Sequence, residues 1–325
     1  VLTLLFIVGT AAAGVHCWAL HEFQEAQQAL DDERLGEAGG HLSFCMTAWP
    51  WSADTHFLAA RICRASGVYP EAEAQLNECI RLQGTTERIQ LEMLMLRAQR
   101  GEVDQVNEGL LYAAEHEPAH EREILEALAR GYLTLTRFLP ALAMLNRCLE
   151  RYPNDVSALD WRGWLLERME QQEKAAADYK RVLELAPDRT EVRLRLASLY
   201  LDHNDPVQAE PHLLIVQKAR PNRPDVQLAL ARCRFMQGRF GEARTLLDKV
   251  LAVQPDSPEA LVFRGKIELE ANPPRPEEAE SYVRRALRED PNDAPVHGAL
   301  YDCLRAQPGR DCLLYTSDAA DDLTR

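Results

Sequence analysis

The sequence has no surplus of positive charge: 37 Lys and Arg stand against 51 Asp and Glu, a net charge of −14 over 325 residues. That balance excludes a nucleic-acid binder that works through a basic surface. Aromatic residues are few, at 7%, but hydrophobic residues reach 46%, which excludes a disordered chain. There is no Gly-rich phosphate loop, no nucleophile elbow and no Cys-x-x-Cys pair. The expectation is a protein that is not an enzyme and holds no cofactor and no metal. Strand signals are missing as well, because the apolar residues step by three and four, as in Ala175, Tyr179, Val182 and Leu183. The fold class expected is all-α.

The eight cysteines do not form a ligand or disulfide framework. Cys45, Cys79 and Cys148 recur at equivalent places, as small buried residues would, and Cys63, Cys233 and Cys303 lie on other apolar faces. His116 and His120 sit among Glu115, Glu117 and Glu121, but Pro118 between them prevents a shared helical face, so a solvated turn is expected there.

Both ends are unusual. The chain starts at Val1, and residues 1–20 carry no Lys, Arg, Asp or Glu. At about 1.5 Å per residue such a run spans the roughly 30 Å core of a bilayer as a helix. A transmembrane anchor is expected over 1–20, with cleavage of a signal after Ala13 as the alternative. The acidic flank, Glu22, Glu25, Asp31, Asp32 and Glu33, places the body on the extracytoplasmic side of a membrane, expected to be a bacterial inner membrane. At the other end, Cys312 to Asp322 resembles one reading frame of a sequencing adaptor, so 311–325 is expected to be non-native and the natural chain to continue beyond Arg310.

Between these ends the sequence keeps a ruler. Pro50, Gly84, Pro118, Pro153, Pro187, Pro221, Pro255 and Pro291 are 34 to 36 residues apart. Ala38, Ala72, Val106, Ala141, Ala175, Ala209, Ala243 and Ala279 keep the same steps, and Ala26, Ala60, Leu94, Ala129, Gly163, Ala197, Ala231 and Gly265 keep all but the last, which is 34. Pro ends one helix, and the Asn or Asp that follows in Pro153–Asp155, Pro187–Arg189 and Pro291–Asp293 is expected to cap the next. Small residues belong where antiparallel helices cross. Leu94 and Val106 break that rule within one repeat.

This pattern resembles the tetratricopeptide-repeat family, with Gly163, Ala175, Tyr179 and LELAPD at 183–188 as its best match. The resemblance implies an α-solenoid of about eight helix-turn-helix units in a right-handed superhelix over 19–310. Its units are about 19–52, 53–86, 87–121, 122–155, 156–189, 190–223, 224–257 and 258–293, with a partial unit at 294–310. Lacking a second helix, that last unit is expected to leave Leu300 and Leu304 exposed. The turn at NPPRP, residues 272–276, is two residues longer than the others.

The resemblance also implies a function: a protein-interaction scaffold whose first helices line a groove for a peptide or partner helix. The positions carried over from the family are Phe57, Arg61, Arg64, Arg130, Leu133, Trp164, Leu201, Arg232, Phe235, Lys266 and Leu269, a basic row beside apolar anchors. In the alternative, the arginines pair internally with Glu126, Asp160 or Glu167. The Lys and Asn of the family's carboxylate clamp and its Asn ladder are absent from the corresponding positions. The partner is expected to be a protein or peptide, with the membrane contacted through the first helix and no nucleic acid bound. A docking arm of a larger enzyme or secretion machine is the other functional reading.

Overall fold

The computed structural model describes residues 2–307, with side chains from residue 14 onward, and every element among them is helical. The helices are α1 (Leu2–Asp31), α2 (Leu35–Ala48), α3 (Ala53–Ala65), α4 (Tyr69–Gln83), α5 (Glu87–Gln99), α6 (Val103–His116), α7 (Glu121–Thr134), α8 (Phe138–Arg151) and α9 (Val156–Arg168). They are followed by α10 (Gln172–Leu185), α11 (Thr190–Asp202), α12 (Pro206–Ala219), α13 (Pro224–Met236), α14 (Phe240–Val253), α15 (Pro258–Leu269), α16 (Pro276–Glu289) and α17 (Ala294–Arg305). Consecutive helices pair as in a tetratricopeptide-like solenoid, and the chain divides into two compact units within α9, after Leu165.

The small-residue rows lie where the helices of a pair cross. Ala26 and Ala38, Ala60 and Ala72, Ala197 and Ala209, and Ala231 and Ala243 are at most 1% exposed. At Gly265 an added Cβ would already stand 3.0 Å from the Ala279 carbonyl oxygen. In the repeat with Leu94 and Val106 the missing small residue moves to the partner helix: a Cβ on Gly109 would be 4.0 Å from Leu94 Cδ1. One contact is tighter still. A Cβ on Gly131 of α7 would lie 2.2 Å from the Ala98 oxygen of α5 and 2.6 Å from Val103 Cγ2.

Caps follow the sequence in part. Asp155 Oδ1 accepts from Ala158 N at 2.8 Å and Asp293 caps α17 through Val296 N, whereas at Pro187–Arg189 the cap position is Arg189, with no side-chain bond. Ser52 and Asp205 cap α3 and α12. In seven of the eight described pairs the inner turn carries a residue of positive φ at the same place, Glu33, Gly67, Gly101, Thr136, Glu170, Asn204 and Gly238; the longer turn between α15 and α16 has none. Glycine suits that left-handed conformation, and asparagine tolerates it; a β-branched threonine does not.

Two expectations need correction. Leu300 and Leu304 are 0% and 6% exposed, because α17 turns them onto Leu261, Val283 and Leu287 of the preceding pair. Among the described residues no helix is long and apolar enough to cross a membrane, so the anchor over 1–20 is not supported; its residues 1–13 lie outside the described side chains. From Ala19 onward α1 is a repeat helix, with Ala19, Ala26 and Ala29 buried and Glu22 Oε2 2.6 Å from His41 Nδ1 of α2. Nothing in the described residues speaks for the expected extracytoplasmic placement, and the segment 311–325 also lies outside them.

Cys45, Cys79, Cys148, Cys233 and Cys303 are buried, and three of them donate to carbonyls of the preceding helix, as Cys79 does to Ala53 O at 3.3 Å. Burial pushes the thiols of Cys79, Cys148 and Cys303 up to about 11, about 12 and about 12. His116 Nδ1 lies 2.9 Å from the Tyr112 oxygen and its ring stacks on Tyr112 at 4.0 Å, while His120 precedes α7 as its cap residue.

Two measurements test this account. In urea unfolding, Gly131→Ala should cost about 3 kcal/mol from overpacking, while Thr136→Asn should gain about 1 kcal/mol by relieving the left-handed backbone; a neutral Gly131→Ala would show that α5 and α7 are not in close contact. With iodoacetamide at pH 8, mass spectrometry should find label on exposed Cys17 in the native protein and on Cys79, Cys148 and Cys303 only after unfolding.

Candidate functional site

The first helices of the unit up to Leu165 present their arginines to one another. Arg61 of α3 donates from Nη2 to Glu123 Oε1 of α7 at 2.7 Å. Arg64, 7% exposed, pairs through Nε and Nη2 with Glu92 of α5, itself 2% exposed, and its Nη2 lies 3.7 Å from Glu123 Oε2. From α7, Arg130 donates both Nη groups to the Ala65 oxygen at 3.2 Å and lies 5.6 Å above the Trp161 ring. Its Nη1 is 3.7 Å from Glu126 Oε1. Burial pushes the Glu126 carboxyl above the usual carboxylate range, and the opposing pull of Arg130 does not cancel it.

A second set of contacts crosses further. Arg122, in the first turn of α7, donates from Nη2 to Glu33 Oε1 at 3.2 Å, and its Nε lies 2.5 Å from Asp155 Oδ2. Ser157 of α9 donates to Glu33 as well. The turn between α1 and α2 is thus tied to the starts of α7 and α9, 89 and 124 residues along the chain. Guanidinium–carboxylate pairs of this kind fix register between helices, and removing one buried partner leaves the other charge unpaired.

Of the residues expected to line a groove here, Arg61, Arg64 and Arg130 are therefore spent on internal pairs. The partners are Glu123 and Glu92 in addition to Glu126. Phe57 is half-buried under the Arg88 guanidinium, 4.9 Å from its ring centre, Leu133 is half-buried, and Trp164 meets Trp161 edge-on at 6.1 Å. The sequence signal that points to Glu92, Glu123 and Glu33 is faint, since each is one acid among many on helices of ordinary pattern.

The unit after Leu165 differs. Its first helices α11, α13, α15 and α17 lie side by side. Arg232 donates to Asp202 Oδ1 at 2.8 Å, one repeat back, and Lys266 Nζ stands 5.4 Å above the Phe263 ring. Phe235 packs on Phe240 at 5.4 Å and Phe263 at 5.7 Å and keeps part of its surface open. Leu194, Leu228 and Leu269 are half-buried. Leu201 departs from expectation: it is 2% exposed, facing α12 and α13 in the core with Leu213 and Leu230. No contact resolved for Arg232, Phe235 or Lys266 reaches beyond the neighbouring repeat.

Comparison with known proteins identifies the repeat. Tetratricopeptide-repeat family models match residues 126–190, 168–223 and 215–267, so this part of the chain consists of tetratricopeptide repeats. Such repeats generally mediate protein–protein interaction and are usually without enzymatic activity of their own. The chain is 32% identical over 133 residues to the Protein CTR9 homolog of Arabidopsis thaliana, a match covering 38% of this chain and 12% of that protein. It is 34% identical over 97 residues to the Cellulose synthase operon protein C of Xanthomonas axonopodis pv. citri, covering 30% of this chain and 6% of that protein. The chain thus spans only a small part of the length of these curated relatives. Among solved structures, YrrB, described as a TPR protein with an unusual peptide-binding site, is 17% identical with a TM-score of 0.49 over 58% of this chain and 96% of its own. A tetratricopeptide repeat protein from Parabacteroides merdae is 19% identical with a TM-score of 0.44 over 88% of this chain and 98% of its own.

The internal pairs can be tested by unfolding. Arg64→Ala should cost about 3 to 5 kcal/mol, because Glu92 stays buried without its partner, and the double replacement Arg64→Met with Glu92→Leu should recover most of that loss. Equal stability of the single and double variants would mean that the pair is not closed in solution.

Proposed function

We propose that the chain is a protein-binding scaffold whose working surface is the face of α11, α13 and α15, and that it takes a peptide segment, extended or helical, with apolar and acidic side chains. The observation that carries this reading is the contrast between the two sets of arginines. In the first unit Arg61 and Arg64 hold carboxylates that packing shields, Glu123 at 32% and Glu92 at 2% exposed. In the second, Arg232 pairs with Asp202, which is 46% exposed, Lys266 lies over the Phe263 ring, and the same helices carry the half-buried Leu194, Leu228, Phe235 and Leu269. Half-exposed aromatic and aliphatic side chains next to cations are what a peptide needs for anchoring, since burial supplies affinity and the charges select orientation.

Arg232 would exchange its exposed Asp202 partner for a peptide carboxylate at small net cost, because a surface pair contributes about 0 to 1 kcal/mol. Among the described residues Lys266 has no carboxylate partner to leave, and its Nζ lies over the Phe263 ring. A peptide spread over several repeats would be weakened by single replacements and redirected by reversals of charge.

Selection from a random peptide display library is the direct test. The wild-type protein should enrich sequences pairing apolar residues with Asp or Glu, and Arg232→Glu with Lys266→Glu should shift enrichment to Lys and Arg. Phe235→Ala should weaken the selected peptides roughly tenfold, about 1.4 kcal/mol. An acidic consensus that survives the double reversal, or one lost on Arg61→Ala alone, would place binding elsewhere.

A further inference from the structure

The second unit holds another group of cations, none of them among the residues of the proposed peptide face. Lys180 on α10 and His212 on α12 both lie against Tyr200, and Arg193 on α11 reaches His212. Lys180 Nζ stands 5.5 Å from the Tyr200 ring centre, the Tyr200 and His212 rings stack at 5.9 Å with 21° between planes, and Arg193 Nη1 lies 3.5 Å from His212 Nδ1. The other end of the Arg193 guanidinium is fixed by a 2.6 Å bond from Nη2 to the Pro187 oxygen.

No carboxylate pairs with Lys180 or Arg193 among the described residues, although the protein carries 14 more acids than bases. Arg181, the next residue on α10, pairs with Glu184, so that carboxylate is already engaged. His212 is half-buried, and burial first, then Arg193 and Lys180, hold its pKa below the usual histidine value. A guanidinium held by a backbone carbonyl and an ammonium over an aromatic ring, on either hand of a histidine, leave a positive field without a paired carboxylate.

We infer that Lys180, Arg193 and His212 form an oxyanion site that accepts a carboxylate or a tetrahedral phosphoryl or sulfuryl group. The chemistry suits the group: a guanidinium offers N–H donors in a plane, an ammonium offers a point charge, and the imidazole adds a donor on protonation. Two of the three contributors lie on second helices of their pairs and none is among the residues of the proposed peptide face, so the site does not depend on that reading.

Linkage supplies the test. A bound anion offsets the field of Lys180 and Arg193, so His212 must take up a proton more readily, and by reciprocity the anion must bind more tightly as pH falls through the His212 pKa. The His212 ring proton is followed by NMR against pH in potassium chloride, sulfate and acetate at equal ionic strength. Sulfate stands for the tetrahedral group and acetate for the carboxylate. The expected result is a rise of His212 pKa of roughly one unit over chloride in at least one of the two. A rise in sulfate alone assigns the tetrahedral group, and a rise in acetate alone assigns the carboxylate.

Lys180→Gln, an exposed change on α10 that leaves the fold alone, should raise the His212 pKa in chloride and reduce the anion effect. Arg193→Gln should abolish that effect. Identical titrations in the three salts, or an anion-induced rise that persists in Lys180→Gln with Arg193→Gln, would overturn the site.

Discussion

Each helix pair depends on one point where two backbones come so close that only alanine or glycine fits. At the Ala26–Ala38 and Ala231–Ala243 crossings both side chains vanish from the surface, and at Gly265 even a methyl group would press on the Ala279 oxygen. Larger apolar residues such as Leu76, Tyr179 and Leu247 then close around the crossing, which fixes the rotation of each helix and hence which side chains meet the next pair. The repeat that breaks the rule shows the same constraint. With Leu94 and Val106 in the crossing rows, Gly109 gives way on the partner helix, and α5 meets α7 at Gly131 instead. That close approach lies in the same stretch as the arginine–carboxylate pairs of α3, α5 and α7.

The distribution of charge follows from this packing. An acidic chain has carboxylates to spare, and in the first unit they are placed opposite arginines from other repeats, Glu123 against Arg61 and Glu33 against Arg122. In the second unit the pairs are mostly between neighbours, as Arg223 with Glu191 and Asp225, or Arg234 with Glu210. A family pattern assigns equivalent positions equivalent roles, but position alone does not decide whether an arginine binds a partner or a neighbouring helix. The acids within reach decide it.

Helical content, the crossing residues and the cap at Asp155 were legible in the sequence because they are local: a period of three to four, a small residue or a turn residue states its own requirement. What was not legible involves residues far apart. Arg61 and Glu123 are 62 positions apart, and Ser157 and Glu33 are 124 apart, with no periodic signal joining them. The burial of Leu201 was missed for a different reason, since a groove position in the family pattern here turns toward α12 and α13. The burial of Leu300 and Leu304 was missed because a helix without its partner still has the preceding pair to pack against.

The tie from Glu33 to Arg122 and Ser157 has a consequence for cooperativity. In a linear array each repeat couples only to its neighbours, so the ends fray and the middle can melt separately, as in a one-dimensional Ising chain. A bond between the first pair and the starts of α7 and α9 converts that line into a loop of coupled repeats. Opening any pair within it must break the closing contacts too, so the first four pairs should exchange their amide hydrogens as one unit. Contacts that join only adjacent pairs, such as Arg232 with Asp202 after Leu165, favour instead the graded, end-first opening of an ordinary array.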